Sequence, residues 1–216
     1  MDAKAVVLCY NQPDLTRAMY AQLGDDMIMV DNGSTVHQPL LKCRTFKYMS
    51  NRYFSGGWNR AMRELQDTDW VWMLNSDVQG VTPAMMYRLI EEADYLGADV
   101  ISPSFNSPHP HMQPQLKGTR FVRWIDWCCP VVKMEAWLKV GEFDAERLPG
   151  YGSDLDWCKR AEQLGIRFAV SDNYRVHHLG STTALAEGLQ GIQGDVGAMN
   201  QALHDKWGVS SWAEMF

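Results

Sequence analysis

The stretch WVWMLNSDV, Trp70 to Val78, runs five apolar residues into an abrupt polar turn. Apolar runs this short, rich in β-branched and aromatic side chains and set between helical patterns, form strands buried on both faces of a largely parallel sheet. The chain repeats the arrangement on either side. AVVLCY (5–10), MIMV (27–30) and TFKYM (45–49) precede it, with helical patterns around Leu15–Leu23 and Trp58–Leu65 between them. PAMMYRLIEEADYLG (83–97) follows, with apolar residues at Met85, Met86, Leu89, Ile90, Ala93 and Leu96 and a stop at Gly97, and ADVISPSF (98–105) predicts the next strand. The alternation is an α/β layout with helices flanking a mostly parallel central sheet.

Farther along, Asn106–Gly118 is rich in Pro, His, Ser and Gln and reads as a long mobile loop, its His109, His111 and Gln113 either closing over a ligand or simply solvated. WIDWCCPVVKM (124–134) predicts a strand continuing the sheet, and MEAWLKVG (134–141) a short helix.

At 216 residues and 46% hydrophobic content, the chain suits one compact domain, 1–216. No apolar run is long enough to cross a bilayer, and the first residues lack the basic-then-apolar order of a secretory signal, so the expectation is a cytoplasmic protein without stable membrane insertion. Five cysteines without a regular spacing or a CxxC pair suit buried thiols rather than a disulfide or zinc framework. A net charge of −6 argues against a protein that binds chiefly by neutralising phosphates, leaving nucleic acid as a partner only in the sense of a substrate.

Three strand ends carry polar residues: AVVLCY runs into Asn11, MIMV into VDNGST (30–35), and WVWML into NSD (75–77). Each alone is explained by a turn. Together they gather at the carboxyl edge of one sheet, where ligands of open α/β sheets bind. There Asp31 and its turn suit a base or ribose, and Asp77 suits a hard ion such as Mg²⁺ or Mn²⁺. SNRYFSGGWNRAMREL (50–65) sets a Gly-Gly pair just before a helical run, serving either a ligand's close approach or the helix's packing on the sheet; no GK[ST] follows, so it is no Walker loop.

In LPGYGSDLDWCKRAEQLG (148–165), Ser153 and Asp156 have capping-box spacing, and Leu155, Cys158, Ala161 and Leu164 make an apolar stripe ending at Gly165. Asp156 thus has a structural task, whereas glycines 150 and 152 present Asp154 toward the sheet edge.

The order VVLCYNQ, VDNGST, NRYFSGGWN, LNSDV and GEFDAERLPGYGSDLDW…VHHLGST resembles the family-2 glycosyltransferases of the GT-A fold, particularly their rhamnosyltransferase-like branch. The resemblance covers most of the chain. It implies a Rossmann-like fold whose residues 1–100 hold the nucleotide sugar and whose residues 101–216 hold the acceptor and the catalytic group. On this resemblance Asp31 contacts the base or ribose, with Tyr10, Asn11 and Asn51 around the same pocket. Asn75, Ser76 and Asp77 stand for the DxD motif in an N-x-D form, Asp77 meeting the metal, Mn²⁺ or Mg²⁺. Asp154 keeps the position of the catalytic base, while Ser153 replaces the glutamate usual before it. In VHHLGST, His178 rather than His177 approaches the metal or diphosphate.

The implied reaction is inverting transfer of a sugar from a UDP- or dTDP-sugar to an acceptor hydroxyl on a saccharide, lipid-linked saccharide, protein or modified nucleobase. Trp127, Tyr151 and Asp156 are the candidate acceptor contacts, with Trp124 and Trp157 nearby, each of the aromatic residues being equally suited to a core. Two other classes fit the outline less well: a sugar nucleotidyltransferase, which would need a basic glycine-rich loop where VVLCYNQPD stands, and a non-catalytic sugar-nucleotide-binding protein, which the Asn75 and Ser153 departures suggest.

Overall fold

A computed structural model of the chain describes residues 1–180, 182–188 and 195–216. Its N-terminal half is wound as the apolar runs require: β1 (Ala3–Cys9), α1 (Pro13–Leu23), β2 (Met27–Asp31), β3 (Arg44–Lys47), α2 (Tyr53–Arg63) and β4 (Trp70–Asn75). Every residue of β2 is buried, and β4 is buried from Trp70 through Leu74, as strands covered by helices on both faces must be. Parallel pairing sets Cys9 against Asp31 and Leu8 against Asn75, so the carboxyl ends of β1, β2 and β4 lie side by side.

The second half adds β5 (Val78–Gln79), α3 (Pro83–Leu96), β6 (Val100–Phe105), β7 (Thr119–Val122), β8 (Val131–Lys133), α4 (Met134–Val140), α5 (Ser153–Gln163), β9 (Phe168–His178), α6 (Thr182–Ala186) and α7 (Val196–Trp207). Among the described residues the sheet runs β3-β2-β1-β4-β8-β6-β9-β5, with β7 on β9. β8 runs antiparallel to both β4 and β6. Helix ends follow local chemistry: Thr82 caps α3 by accepting from the Met85 N–H, and Gly97 closes it in the left-handed region at φ 67°.

Several expectations change. α2 begins at Tyr53, so the Gly-Gly pair lies inside the helix rather than before it. A Cβ on Gly57 would stand 2.8 Å from Nδ2 of Asn32 and 3.0 Å from the Leu8 side chain, so the glycine serves close packing of helix on sheet. Only Val131–Lys133 of WIDWCCPVVKM is strand; residues 128–130 instead follow the end of β4 through Asn75 N–H to Cys128 O (2.9 Å) and Met73 N–H to Pro130 O (2.8 Å). The segment 106–118 is anchored, because Met112 is fully buried and Gln113 donates to Ser107 O at 2.8 Å. Its His109 and His111 are packed on Trp124, with ring centroids 4.7 and 4.3 Å away, rather than solvated.

Most large side chains form one core, in which Trp157 lies between Trp127 and Trp137 at 4.8 and 5.7 Å. A smaller cluster of Leu148, Leu155, Met199, Leu203 and Met215 seats α7 against α5. All five cysteines are free and buried. No helix among the described residues is long and apolar enough to cross a membrane.

Candidate active site

The carboxyl ends of β1 and β4 open into a cleft of about 200 Å³. Both halves of the chain line it. Leu8, Cys9, Tyr10, Asn32, Asn51, Tyr53, Asn75, Ser76 and Asp77 come from the first, and Asp126, Trp127, Tyr151, Asp154, His178 and Thr183 from the second. The backbone bonds that tie 128–130 to β4 bring Asp126 and Trp127 beside the Asn75–Asp77 turn. The glycine-rich loop is drawn in by α2, where Ser55 donates from its backbone N–H to Pro149 O (3.0 Å) and from Oγ to Leu148 O (2.5 Å).

α5 is entered through its N-cap, Gly152, in the left-handed region at φ 82°. A side chain there would press on Met199, 2.6 Å from its Cγ, so only glycine admits both this turn and the seat of α7. The expected capping box is absent: Ser153 Oγ donates to Gly150 O at 2.7 Å, and in the first helical turn it is Asp154 Oδ1 that accepts from the Leu155 N–H at 2.9 Å.

Asp154 faces the cleft, and its carboxyl is pushed up to about 7, first by burial and then by the charge of Asp126, against N–H groups of Leu155, Asp154 itself and Trp127. Asp126, which accepts from Ser107 Oγ at 3.1 Å, is likewise raised by burial. At the other wall His178 Nε2 lies 3.1 Å from Asp77 Oδ1, and the Thr182 N–H reaches Asp77 Oδ2 at 3.2 Å. Burial opposes charge on both partners, but their mutual bond prevails, lowering Asp77 and raising His178. His177 points to solvent. Ser181, within the VHHLGST motif, lies outside the described residues.

Of the residues the sequence nominated, the cleft gathers Tyr10, Asn51, Asn75, Ser76, Asp77, Trp127, Tyr151, Asp154 and His178. Three are placed otherwise. Asp156 is 0% exposed and faces Arg160 (3.1 Å), Lys206 (2.9 Å) and the Trp207 indole N–H (3.0 Å), because two residues along a helix turn a side chain to the far face. It anchors α7 rather than an acceptor. Asn11, 7% exposed with φ 53°, uses Oδ1 on the backbone N–H groups of Thr35 and Val36 and Nδ2 on Glu187, bracing the turn after β2 against the segment after α6. Asp31 is 3% exposed and accepts from the Ser34 N–H at 2.9 Å, shaping that turn from beneath.

Asn32 lines the cleft in its place and carries a network: its Nδ2 donates to Asn51 Oδ1 (3.0 Å) and Tyr53 O (2.9 Å). Asn51 Oδ1 also accepts from the Tyr53 N–H at 2.8 Å, holding Tyr53 at φ 56°. Asn32, Tyr53 and Asp126 were missed by sequence reasoning. For Asp126 the only signal was an acid amid the aromatic run WIDW.

No protein-family model matches the chain, and no curated protein matches it in sequence. Solved structures do. GalNAc-T7, crystallised with UDP, GalNAc and Mn²⁺, superposes over 82% of this chain and 44% of its own at TM-score 0.64 and 8% identity. S. aureus TarS residues 1–349 superpose over 96% of this chain and 72% of theirs at TM-score 0.63 and 13% identity. The same region of TarS in complex with UDP-GlcNAc gives 0.60 at 14% identity, covering 82% and 58%. The chain has the GT-A fold. It spans less than half of GalNAc-T7, and identities this low speak for the fold alone.

Proposed function

We propose that the cleft binds a nucleoside-diphosphate sugar, UDP- or dTDP-linked, and that the protein transfers the sugar with inversion to an acceptor hydroxyl. The observation that carries this reading is the charge of the cleft. Asp77, Asp126 and Asp154 line it with His178, and among the described residues no Lys or Arg does. A diphosphate entering such a site alone meets like charge, so it enters with a divalent cation.

The residues present fit that cation. Adjacent ligands about 2.1 Å from an octahedral ion stand about 3.0 Å apart, and Asp77 Oδ1 and His178 Nε2 are 3.1 Å apart. No group of three His, Cys, Asp or Glu side chains able to hold a metal occurs among the described residues, so Asp77 and His178 would hold the cation together with the donor it accompanies. When bound, Mn²⁺ or Mg²⁺ supplies neutralisation of the charge that builds on the departing diphosphate.

The chain's own groups do the rest. Tyr10, Asn51 and Tyr53 hold the nucleoside at the rim, with Asn75 and Ser76 beside the diphosphate. Asp154 takes the proton from the acceptor hydroxyl as that oxygen bonds to the anomeric carbon. The bond from that carbon to the diphosphate oxygen breaks, and its electron pair leaves with the nucleoside diphosphate. General-base help of this kind contributes roughly 10²–10⁴ in rate. Trp127 and Tyr151 flank the acceptor side.

The UDP, GalNAc and Mn²⁺ of GalNAc-T7 and the UDP-GlcNAc of TarS support the donor class. The motif order supports membership in family 2 and its rhamnosyltransferase-like branch, as one domain with a donor half (1–100) and an acceptor half (101–216); work in the cytoplasm is part of the same proposal. The acceptor is a saccharide, lipid-linked saccharide, protein or modified nucleobase.

The test is a panel of UDP-, dTDP- and GDP-sugars with Mn²⁺, Mg²⁺ or chelator, read by thermal shift and by nucleoside diphosphate release. A metal-dependent shift with slow diphosphate release for one donor is expected. Pyrophosphate release would make the protein a nucleotidyltransferase, and donor binding without turnover over a broad acceptor panel would make it a binding protein.

A further inference from the structure

Of the three aspartates that line the cleft, Asp77 and Asp154 have tasks in the transfer and Asp126 has none. Its carboxylate is also the least provided for. Asp77 faces His178 at 3.1 Å and the Thr182 N–H at 3.2 Å, whereas Asp126 receives one hydrogen bond, from Ser107 Oγ to Oδ2 at 3.1 Å. Among the described residues its Oδ1 has no partner, and no Lys or Arg lines the cleft beside it. The side chain is half-buried rather than sealed in, and it faces the cleft. An ionised carboxylate only accepts, so what completes it is a hydrogen-bond donor.

The chain around Asp126 fixes where in the cleft it stands. Ser107 follows Asn106, whose Nδ2 donates to His178 O (2.9 Å) and whose Oδ1 accepts from the His178 N–H (2.7 Å). The segment after β6 thus holds the Asp126 carboxylate beside His178, at the cation end of the cleft. On the other side the next residue, Trp127, brings its backbone N–H close enough to Asp154 to favour that carboxyl's charged form. The charge of Asp126 accordingly reaches both His178 and Asp154. It lies between the group that meets the diphosphate and the group that meets the acceptor hydroxyl. In a single displacement the leaving oxygen, the anomeric carbon and the attacking oxygen are aligned, so the sugar in transit fills the space between those two ends.

We infer that Asp126 selects the donor, its carboxylate accepting a hydrogen bond from a hydroxyl of the sugar being transferred. The inference deepens the transferase reading and rests on it. A hydroxyl bonded to a carboxylate makes a charge-assisted bond. A donor deoxygenated at that carbon leaves the carboxylate unpaired, so the site rejects it more strongly than the loss of size alone would. Asp126 touches no bond that breaks. It determines which sugar is carried, and Asp154 remains the base.

The experiment is isothermal titration of the full chain, with Mn²⁺, against UDP, dTDP, UDP-glucose, UDP-galactose, UDP-N-acetylglucosamine and dTDP-glucose, then against the monodeoxy analogues of whichever sugar nucleotide binds most tightly. Asp126→Ala should leave the affinity for the bare nucleotide unchanged and weaken the sugar nucleotide by about 10–100-fold. One deoxy analogue should cost the parent a similar factor, and the two losses should not add, because both delete the same bond. Losses that add at every hydroxyl, or an equal fall in affinity for the bare nucleotide, would overturn the assignment. Where the alanine variant does not fold, Asp126→Asn keeps the size of the side chain and takes its place: it should weaken the hydroxyl-bearing donor and spare one deoxy analogue, and equal effects on both would overturn the assignment too. Failure of UDP and dTDP alike to bind the parent would sink the donor reading and this inference with it. Nucleotide binding with no hydroxyl coupled to Asp126 would remove this inference alone.

Discussion

Nε2 of His178 lies 3.1 Å from Oδ1 of Asp77, joining the last residue of β9 to the turn after β4 across 101 residues of sequence. The pair lowers the Asp77 carboxyl and raises the His178 imidazole, and under the proposed function both would hold the divalent cation. His178→Ala should therefore weaken Mn²⁺-dependent donor binding by about 10–100-fold, as losses around a metal typically do. Isothermal titration of UDP with and without Mn²⁺ checks this, and equal affinity in the variant would remove His178 from the site.

The pH profile should report Asp154. With its carboxyl near 7, the base is protonated in mildly acidic solution, so kcat rises with pH and levels off above about 7. Asp126→Asn removes the neighbouring charge that contributes to the rise and should move the midpoint to lower pH. A profile flat from pH 5 to 9 in the parent would dismiss Asp154 as base.

Asp154→Asn should lower turnover by roughly 10²–10⁴ while changing donor affinity little. It should also stabilise the fold, in a pH-dependent way. The folded carboxyl holds its proton up to about 7 and the unfolded one releases it near 3.8, so between these values the folded state binds more protons and loses stability as pH rises. The variant escapes that loss: its Tm should exceed the parent's at pH 8 and match it near pH 4. Calorimetry at the two pH values decides the matter.

Asp156 belongs to stability. Removing it takes the buried partner from Arg160 and Lys206, and breaking a buried pair costs up to about 3–5 kcal/mol. Asp156→Ala should lower the urea midpoint sharply yet leave kcat of the folded fraction near parental. A normal midpoint with a raised acceptor KM would return Asp156 to the acceptor site.

Gly33 turns the chain after β2 at φ 77°, and a Cβ there would stand 2.2 Å from the Ser50 carbonyl carbon. Both the conformation and the backbone contact exclude a side chain. Gly33→Ala should cost on the order of 2 kcal/mol or more and, by shifting Asn51, weaken UDP binding. Denaturant titration with UDP binding in the surviving fold measures both.

The apolar runs carried the parallel half of the sheet because a strand covered on both faces must be apolar throughout, and that requirement is written locally. VDNGST, NSD and GYGSD marked the site for the same reason: turns at strand ends and a left-handed glycine are short-range matters. For α7 the local signals are Asp195, which accepts from the Ala198 N–H, and Gly208 at its end. What the sequence left open was long-range. Local signals separated Asp154 from Asp156 only in outline; the helix turns one to the cleft and the other to Arg160 and Lys206, and the fold alone decides which environment each meets. Asp126 enters because backbone bonds from β4 capture the segment behind it, and Asn32 replaces Asp31 because Gly57 lets α2 press close. Strand identity follows from which residues water must leave, whereas a carboxylate's role follows from its neighbours' charge and burial, which exist only once distant segments have met.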